Sequence, residues 1–177
     1  RRLSAKGAHL WLPIDVYPVY QALAQSAGIA PQTFPTLPAP SFPTAGGTDG
    51  PEVLLIANPL KPLGRFPNDE ECAALVAWVN AAPGRRLLID CVYDLGAPFH
   101  PTTMKLLQTE RAILLHSATK GLGGHNDALV GVIAGARDLV DEVWSYSVMH
   151  GAVASPHDAH NALHTANVFD HGETPQG

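Results

Sequence analysis

Cysteine is scarce in this chain of 177 residues: there are two, Cys72 and Cys91. Neither has metal-ligand spacing or neighbours that would build a disulfide framework, so the fold needs no oxidising setting, and a reducing, cytoplasmic one fits. Basic clusters are missing as well. Four lysines and seven arginines are scattered along the chain against sixteen acidic residues, for a formal net charge of −5. Nothing here draws the chain to nucleic acid or to an anionic membrane, which leaves a small-molecule role as the default. No apolar run is long enough to span a bilayer, and no charged-then-apolar leader opens the sequence, so the expectation is a soluble protein. The glycines that follow Lys120, at 121, 123 and 124, lack the spacing of either common nucleotide-binding fingerprint.

What is present is an apolar content of 46%, enough for one compact α/β unit. Short apolar runs without alternation occur at Glu52 to Asn58, Arg86 to Cys91, Ala112 to Ala118 and Ala128 to Ala134. Each has the pattern of a strand buried on both faces. His9 to Ile14 is a further extended segment, after which Pro18 opens a helix from Val19 to Ala27 that Gly28 closes. Cys72, Leu75, Val76 and Val79 repeat at helical spacing behind an Asn68 cap, with Asp69, Glu70 and Glu71 at the positive end of the helix dipole. A shorter helix is expected around Met104 to Leu107, another through Ala136 to Val143, and a last one from His157 to Val168. The proline-rich stretch 30–51 reads as an irregular surface excursion with no secondary structure.

Strands separated by helices predict a three-layer α/β sandwich around a mostly parallel sheet. Ligands in such sheets sit at the carboxyl ends of strands, which directs attention to Asn58, Asp90, Tyr93 and Ser117 to Lys120. Asp90 closes an apolar run, where a carboxylate requires a cation or hydrogen-bond donors, and a buried salt bridge is the plain structural reading. Lys120 is a solvated loop lysine or, among desolvating neighbours, an amine able to attack a carbonyl. Ser117 and Thr119 offer hydroxyls for a phosphate or for ordinary turn bonding. His157, His160 and His164 share one helical face, but no carboxylate or cysteine completes a metal set, so no metal is expected. His125 and Asp127 suit the rim of a site.

The stretch 113–126, ILLHSATKGLGGHN, resembles the lysine signature of the pyridoxal-phosphate enzymes of cysteine and methionine metabolism. Ser117, Thr119, Lys120, Gly124 and His125 match it, while Ala112 and Gly121 depart from its usual residues. Residues 151–163 look like the same family's following segment, with His157 in place of an aromatic residue. Asn58 to Gly64 (NPLKPLG) is similar to the asparagine-proline turn of class I and II aminotransferases. Asp90 to Tyr93, and Tyr17 to Tyr20, are also similar to segments of those enzymes, although no arginine stands between Lys120 and Arg137 to hold a phosphate.

Both families share the large domain of fold type I, and the resemblance implies that all 177 residues form part of one such domain. The first phosphate loop and the small domain that follows it in whole enzymes are not matched. It further implies pyridoxal phosphate held by Lys120 as a Schiff base, with Asp90 on the ring nitrogen. Asn58 and Tyr93 would contact the phenolic oxygen, and Ser117 and Thr119 would hold the phosphate. The implied activity is β- or γ-elimination or replacement on an amino acid, with transamination as the alternative and a catalytically silent domain as a third reading. A homodimer or higher homo-oligomer is the implied assembly.

Overall fold

A computed structural model describes residues 9–44, 50–95, 98–121 and 129–170. The elements run β1 (His9–Pro13), α1 (Pro18–Ser26), β2 (Gln32–Phe34), β3 (Glu52–Ala57), α2 (Asp69–Asn80), β4 (Arg85–Asp90), α3 (Pro101–Leu107), β5 (Ala112–Ser117), α4 (Ala118–Gly121), β6 (Gly131–Gly135), α5 (Arg137–His150) and α6 (Pro156–Asp170). The strands form one sheet in the order β2-β1-β3-β4-β5-β6. Every pairing is parallel except that of β5 with β6. This is the mostly parallel α/β sheet that the apolar runs predict.

Successive strand residues face opposite sides of a sheet. Leu54 and Ile56 of β3, Leu87 and Ile89 of β4, and Ala112 and Leu114 of β5 therefore share one face. They pack with Cys72, Leu75, Trp78 and Val79 of α2 and Leu106 of α3 in a single buried cluster. Helix α2 forms where the spacing places it, and its start is fixed by a reciprocal cap. The Asn68 side chain accepts from the Glu71 amide at 2.8 Å, and the Glu71 carboxylate accepts from the Asn68 amide at 2.9 Å. Arg65 grips the same carboxylate with two hydrogen bonds of 2.7 Å.

Two expectations are corrected. The stretch 30–51 contains β2, three residues that pair in parallel with β1. Such a short strand owes its form to its neighbour's free edge, and its own sequence carries no period to reveal it. The last strand begins at Gly131, runs antiparallel, and is exposed or half-exposed along its length, whereas its apolar run predicts burial on both faces. Gly135 is required there, since a Cβ at that position would meet the Ala112 carbonyl oxygen at 2.7 Å.

At the opposite end of the sheet from the strand carboxyl termini, Glu52 and Arg85 face each other across β3 and β4. Both side chains are buried and joined by a 2.6 Å ion pair. Arg85 also donates to the Trp78 carbonyl at 3.1 Å and lies 4.8 Å over the Trp78 ring. Removing one partner strands the other charge in the core, so Arg85→Met is expected to lower the urea-derived unfolding free energy by about 3 kcal/mol. Arg85→Met with Glu52→Leu should recover most of that loss. Equal stability of the single and double variants would contradict this reading.

Candidate functional site

The register Ala57↔Asp90 and Asp90↔Leu115 brings the carboxyl ends of β3, β4 and β5 to one edge of the sheet. The ladder continues past the strands, with the Asn58 amide donating to the Asp90 carbonyl at 2.8 Å and the Cys91 amide to the Leu115 carbonyl at 2.8 Å. Strand alternation then sorts the side chains. Asp90 has the parity of Leu88, and Ser117 that of Leu115, so both stand on the face turned away from α2 and α3. Asn58 continues the parity of Ile56 and faces α3.

Asp90 is half-buried, and two donors meet it: the Tyr20 hydroxyl on Oδ2 at 2.8 Å and the Val92 amide on Oδ1 at 3.2 Å. No cation pairs with it among the described residues, so the buried salt bridge is not what satisfies it. A carboxylate offers about four lone-pair sites, which leaves one open on each oxygen. Tyr20 stands in the first turn of α1, which starts with Pro18 directly after Tyr17. Burial and the neighbouring Asp90 charge hold its phenol well above the usual range, so it remains a donor.

Asn58 is fully buried on the other face. Its Nδ2 donates to Thr103 Oγ1 at 2.6 Å, and Thr103 in turn donates to Asp94 Oδ2 at 2.6 Å. Because a carboxylate only accepts, the Thr103 proton goes to Asp94, and the amide group of Asn58 must be the donor to Thr103. Asp94 also accepts from the His100 amide at 3.2 Å, and the His100 ring stacks on Phe66 at 3.8 Å. The chain crosses this region through two cis bonds, Asn58-Pro59 and Lys61-Pro62. Nothing in the sequence marks Thr103 or Asp94, since their roles exist only once α3 meets the sheet edge.

Lys120 is exposed on the one-turn helix α4 that leaves β5, and Ser117 is half-buried at the strand end below it. Thr119 is buried and bonds across to β6, accepting from the Val130 amide at 2.9 Å. That is the turn-bonding role. Tyr93 lies three-quarters exposed in the turn after β4. His125 and Asp127 fall outside the described residues, as does the side chain of His164. Among the described residues, no group of three metal-ligating side chains converges.

The edge thus presents a lysine amine, a serine hydroxyl and a half-buried carboxylate with open acceptor sites, the last two on one face. That donor set fits a carbonyl-bearing, phosphorylated, cationic heteroaromatic cofactor. Residues 76–165 match the family model for Cys/Met metabolism PLP-dependent enzymes, and the chain belongs to that family. It is 35% identical over 86 residues to L-methionine gamma-lyase of Pseudomonas putida, an alignment covering 48% of this chain and 20% of that protein. It is 29% identical over 113 residues to the cystathionine gamma-synthase/O-acetylhomoserine (thiol)-lyase of Bacillus subtilis (strain 168), covering 63% of this chain and 28% of the relative. Among solved structures, cystathionine gamma synthase from Xanthomonas oryzae pv. oryzae superposes with a TM-score of 0.66 at 24% identity, over 93% of this chain and 41% of that one. Aminotransferase AspB from Helicobacter pylori gives 0.71 at 17% identity, over 90% and 45%. These two likenesses show the fold, which is that of the large domain of fold type I. The chain spans less than half the length of each of these four proteins.

Cys91, buried beside this edge, has its thiol pushed up to about 12, first by burial and then by the charges of Asp94 and Asp90. The folded chain keeps this proton above pH 9, where an unfolded thiol releases it. Stability is therefore intact below about pH 9 and falls as pH rises toward 12, on the order of 1 kcal/mol per pH unit from this group. Urea unfolding at pH 8, 9 and 10 should show the decline, with a shallower slope in Cys91→Ser. An unchanged slope in that variant would rule out this source.

Proposed function

We propose that this chain is the cofactor-binding core of a pyridoxal-phosphate enzyme that carries out γ- or β-elimination or replacement on an amino acid. The observation that carries the proposal is the convergence of Asp90, Ser117 and Lys120 at the carboxyl edge of β4 and β5, on a chain of the Cys/Met metabolism family. Two relatives, a methionine gamma-lyase and a cystathionine gamma-synthase/O-acetylhomoserine (thiol)-lyase, point to a sulfur-containing substrate and to chemistry at the γ-carbon.

Pyridoxal phosphate, when bound, supplies a ring that accepts the electrons left on the carbon beside the substrate's amino group. The residues do the rest. Lys120 Nζ would hold the cofactor's aldehyde carbon, and as a free amine it would serve as the base for the proton on the substrate α-carbon. Asp90, oriented by the Tyr20 hydroxyl and the Val92 amide, would accept from the ring N–H. Ser117 Oγ would donate to the phosphate. Tyr93, exposed at the rim, is assigned to the phenolic oxygen. Asn58 and Thr119 are assigned supporting roles instead, the first bracing α3 against the sheet edge through Thr103 and the second tying α4 to β6.

Transamination is the second reading, favoured by the sequence Asn58 to Gly64 after β3, which resembles the aminotransferase asparagine-proline turn. Assembly into a homodimer is supported by α5, where Trp144, Val148 and Met149 are exposed while Leu139 is buried. No helix among the described residues is long and apolar enough to cross a membrane. With that and the free thiols of Cys72 and Cys91, we place the protein in the cytoplasm.

Titrating the protein with pyridoxal phosphate should produce the visible band of a lysine adduct, and Lys120→Ala should abolish it. Incubation with methionine, cystathionine or O-acetylhomoserine should then release a thiol or a keto acid with ammonia and without any added keto-acid acceptor. Turnover that requires such an acceptor would move the assignment to transamination. Absence of the band would overturn the cofactor reading.

A further inference from the structure

Tyr20 and Asp90 are 70 residues apart, the first in the helix that follows β1 and the second at the end of β4, and β3 lies between those two strands. Their hydrogen bond therefore spans the carboxyl edge of an intervening strand. We propose that Tyr20 is a positioning residue for the ring nitrogen of the cofactor, acting through Asp90. The inference rests on the pyridoxal-phosphate reading above and adds to it a residue outside the lysine and aspartate motifs.

A carboxylate on the last residue of a strand is free to rotate about its terminal torsion, which is broad and roughly two-fold. In this chain the Val92 amide takes Oδ1 and the Tyr20 hydroxyl takes Oδ2, so the carboxylate plane is fixed by one donor on each oxygen. The backbone donor comes from two residues along the same turn and belongs to local geometry. Tyr20 is the donor that the tertiary fold adds. Helical side chains lean back over the turn toward the helix start. In the turn opened by Pro18, this aims the phenol toward the strand termini. With both oxygens held, the remaining lone pairs point in fixed directions, which suits a single N–H donor from a planar ring. Held in this way, the carboxylate would present an open lone pair to the ring N–H in one fixed direction. The raised phenol means that Tyr20 gives this bond throughout the neutral and mildly alkaline range.

The test is a double-mutant cycle on pyridoxal-phosphate affinity, read from the Lys120-dependent absorbance band. Tyr20→Phe keeps the ring and removes the hydroxyl, and should raise the dissociation constant about tenfold, the effect of losing a hydrogen bond to a charged group. In an Asp90→Asn background the same substitution should change it by less than about twofold. An equal penalty in both backgrounds would mean that Tyr20 acts by packing, and no penalty in either would mean that it does nothing; each overturns the proposal. As a second readout, cofactor labelled with nitrogen-15 in the ring should show a nitrogen resonance moved toward the unprotonated position in Tyr20→Phe. An unmoved resonance also overturns it. If Tyr20→Phe does not fold, 3-fluorotyrosine at position 20 preserves the ring and hydroxyl, and the resonance must still shift from its original place. A protein that forms no Lys120-dependent band fails the cofactor reading and this inference together. A protein that forms the band but is indifferent to Tyr20 fails this inference alone.

Discussion

The register of β3 on β4 is the constraint from which the rest of the structure follows. At one end it sets Glu52 opposite Arg85 as a buried ion pair, and at the other it sets Ala57 opposite Asp90. A slip of one residue would turn every side chain of the strand to the other face. Asp90 would then point beneath α2 and α3, away from Tyr20, and Leu87 and Ile89 would leave the core. The ion pair penalises that slip, because it would part the two charges and leave one unpaired in the apolar layer. Stability at one end of the sheet and chemistry at the other are thus tied to the same hydrogen-bonded ladder.

Given the register, strand alternation divides the residues at the carboxyl edge by function. Asp90 and Ser117 fall on one face, and Lys120 follows on the short helix after β5. Asn58 falls on the other face and joins Thr103 and Asp94 in a buried polar network. These networks differ in what they leave unused. The Asn58 amide group is tied to Asp94 through Thr103 while its Oδ1 is buried without a partner, whereas Asp90 retains acceptor capacity in a half-buried setting. A carboxylate of that kind is suited to bind a cationic nitrogen, and Lys120 is the residue proposed above as the covalent partner.

The sequence carried the strands β3, β4 and β5, the α2 cap at Asn68 and the order of elements, because each is written in local pattern: unbroken apolar runs, helical spacing, a capping residue. It also located the carboxyl-edge residues, since the fold type alone dictates where ligands bind. It did not show β2, whose three residues depend on the edge of β1, nor the exposure of β6, whose apolar run is paired on one side only among the described residues. The division of labour between Asn58 and Asp90 was illegible for a different reason. Both end apolar strands, and only their parity relative to α2 and α3 places one side chain beneath α3 and the other on the opposite face. Tyr20 was visible as part of a strand-to-helix junction, but its partner lies 70 residues away and emerges only from the tertiary fold.

The central claim is that Lys120, alone among four lysines, carries the cofactor. Borohydride reduction of the protein loaded with pyridoxal phosphate, followed by proteolysis and peptide mass mapping, tests it directly. The account requires the added phosphopyridoxyl mass on the peptide that contains Lys120. Label on peptides carrying Lys6, Lys61 or Lys105 instead, or spread among them, would contradict it.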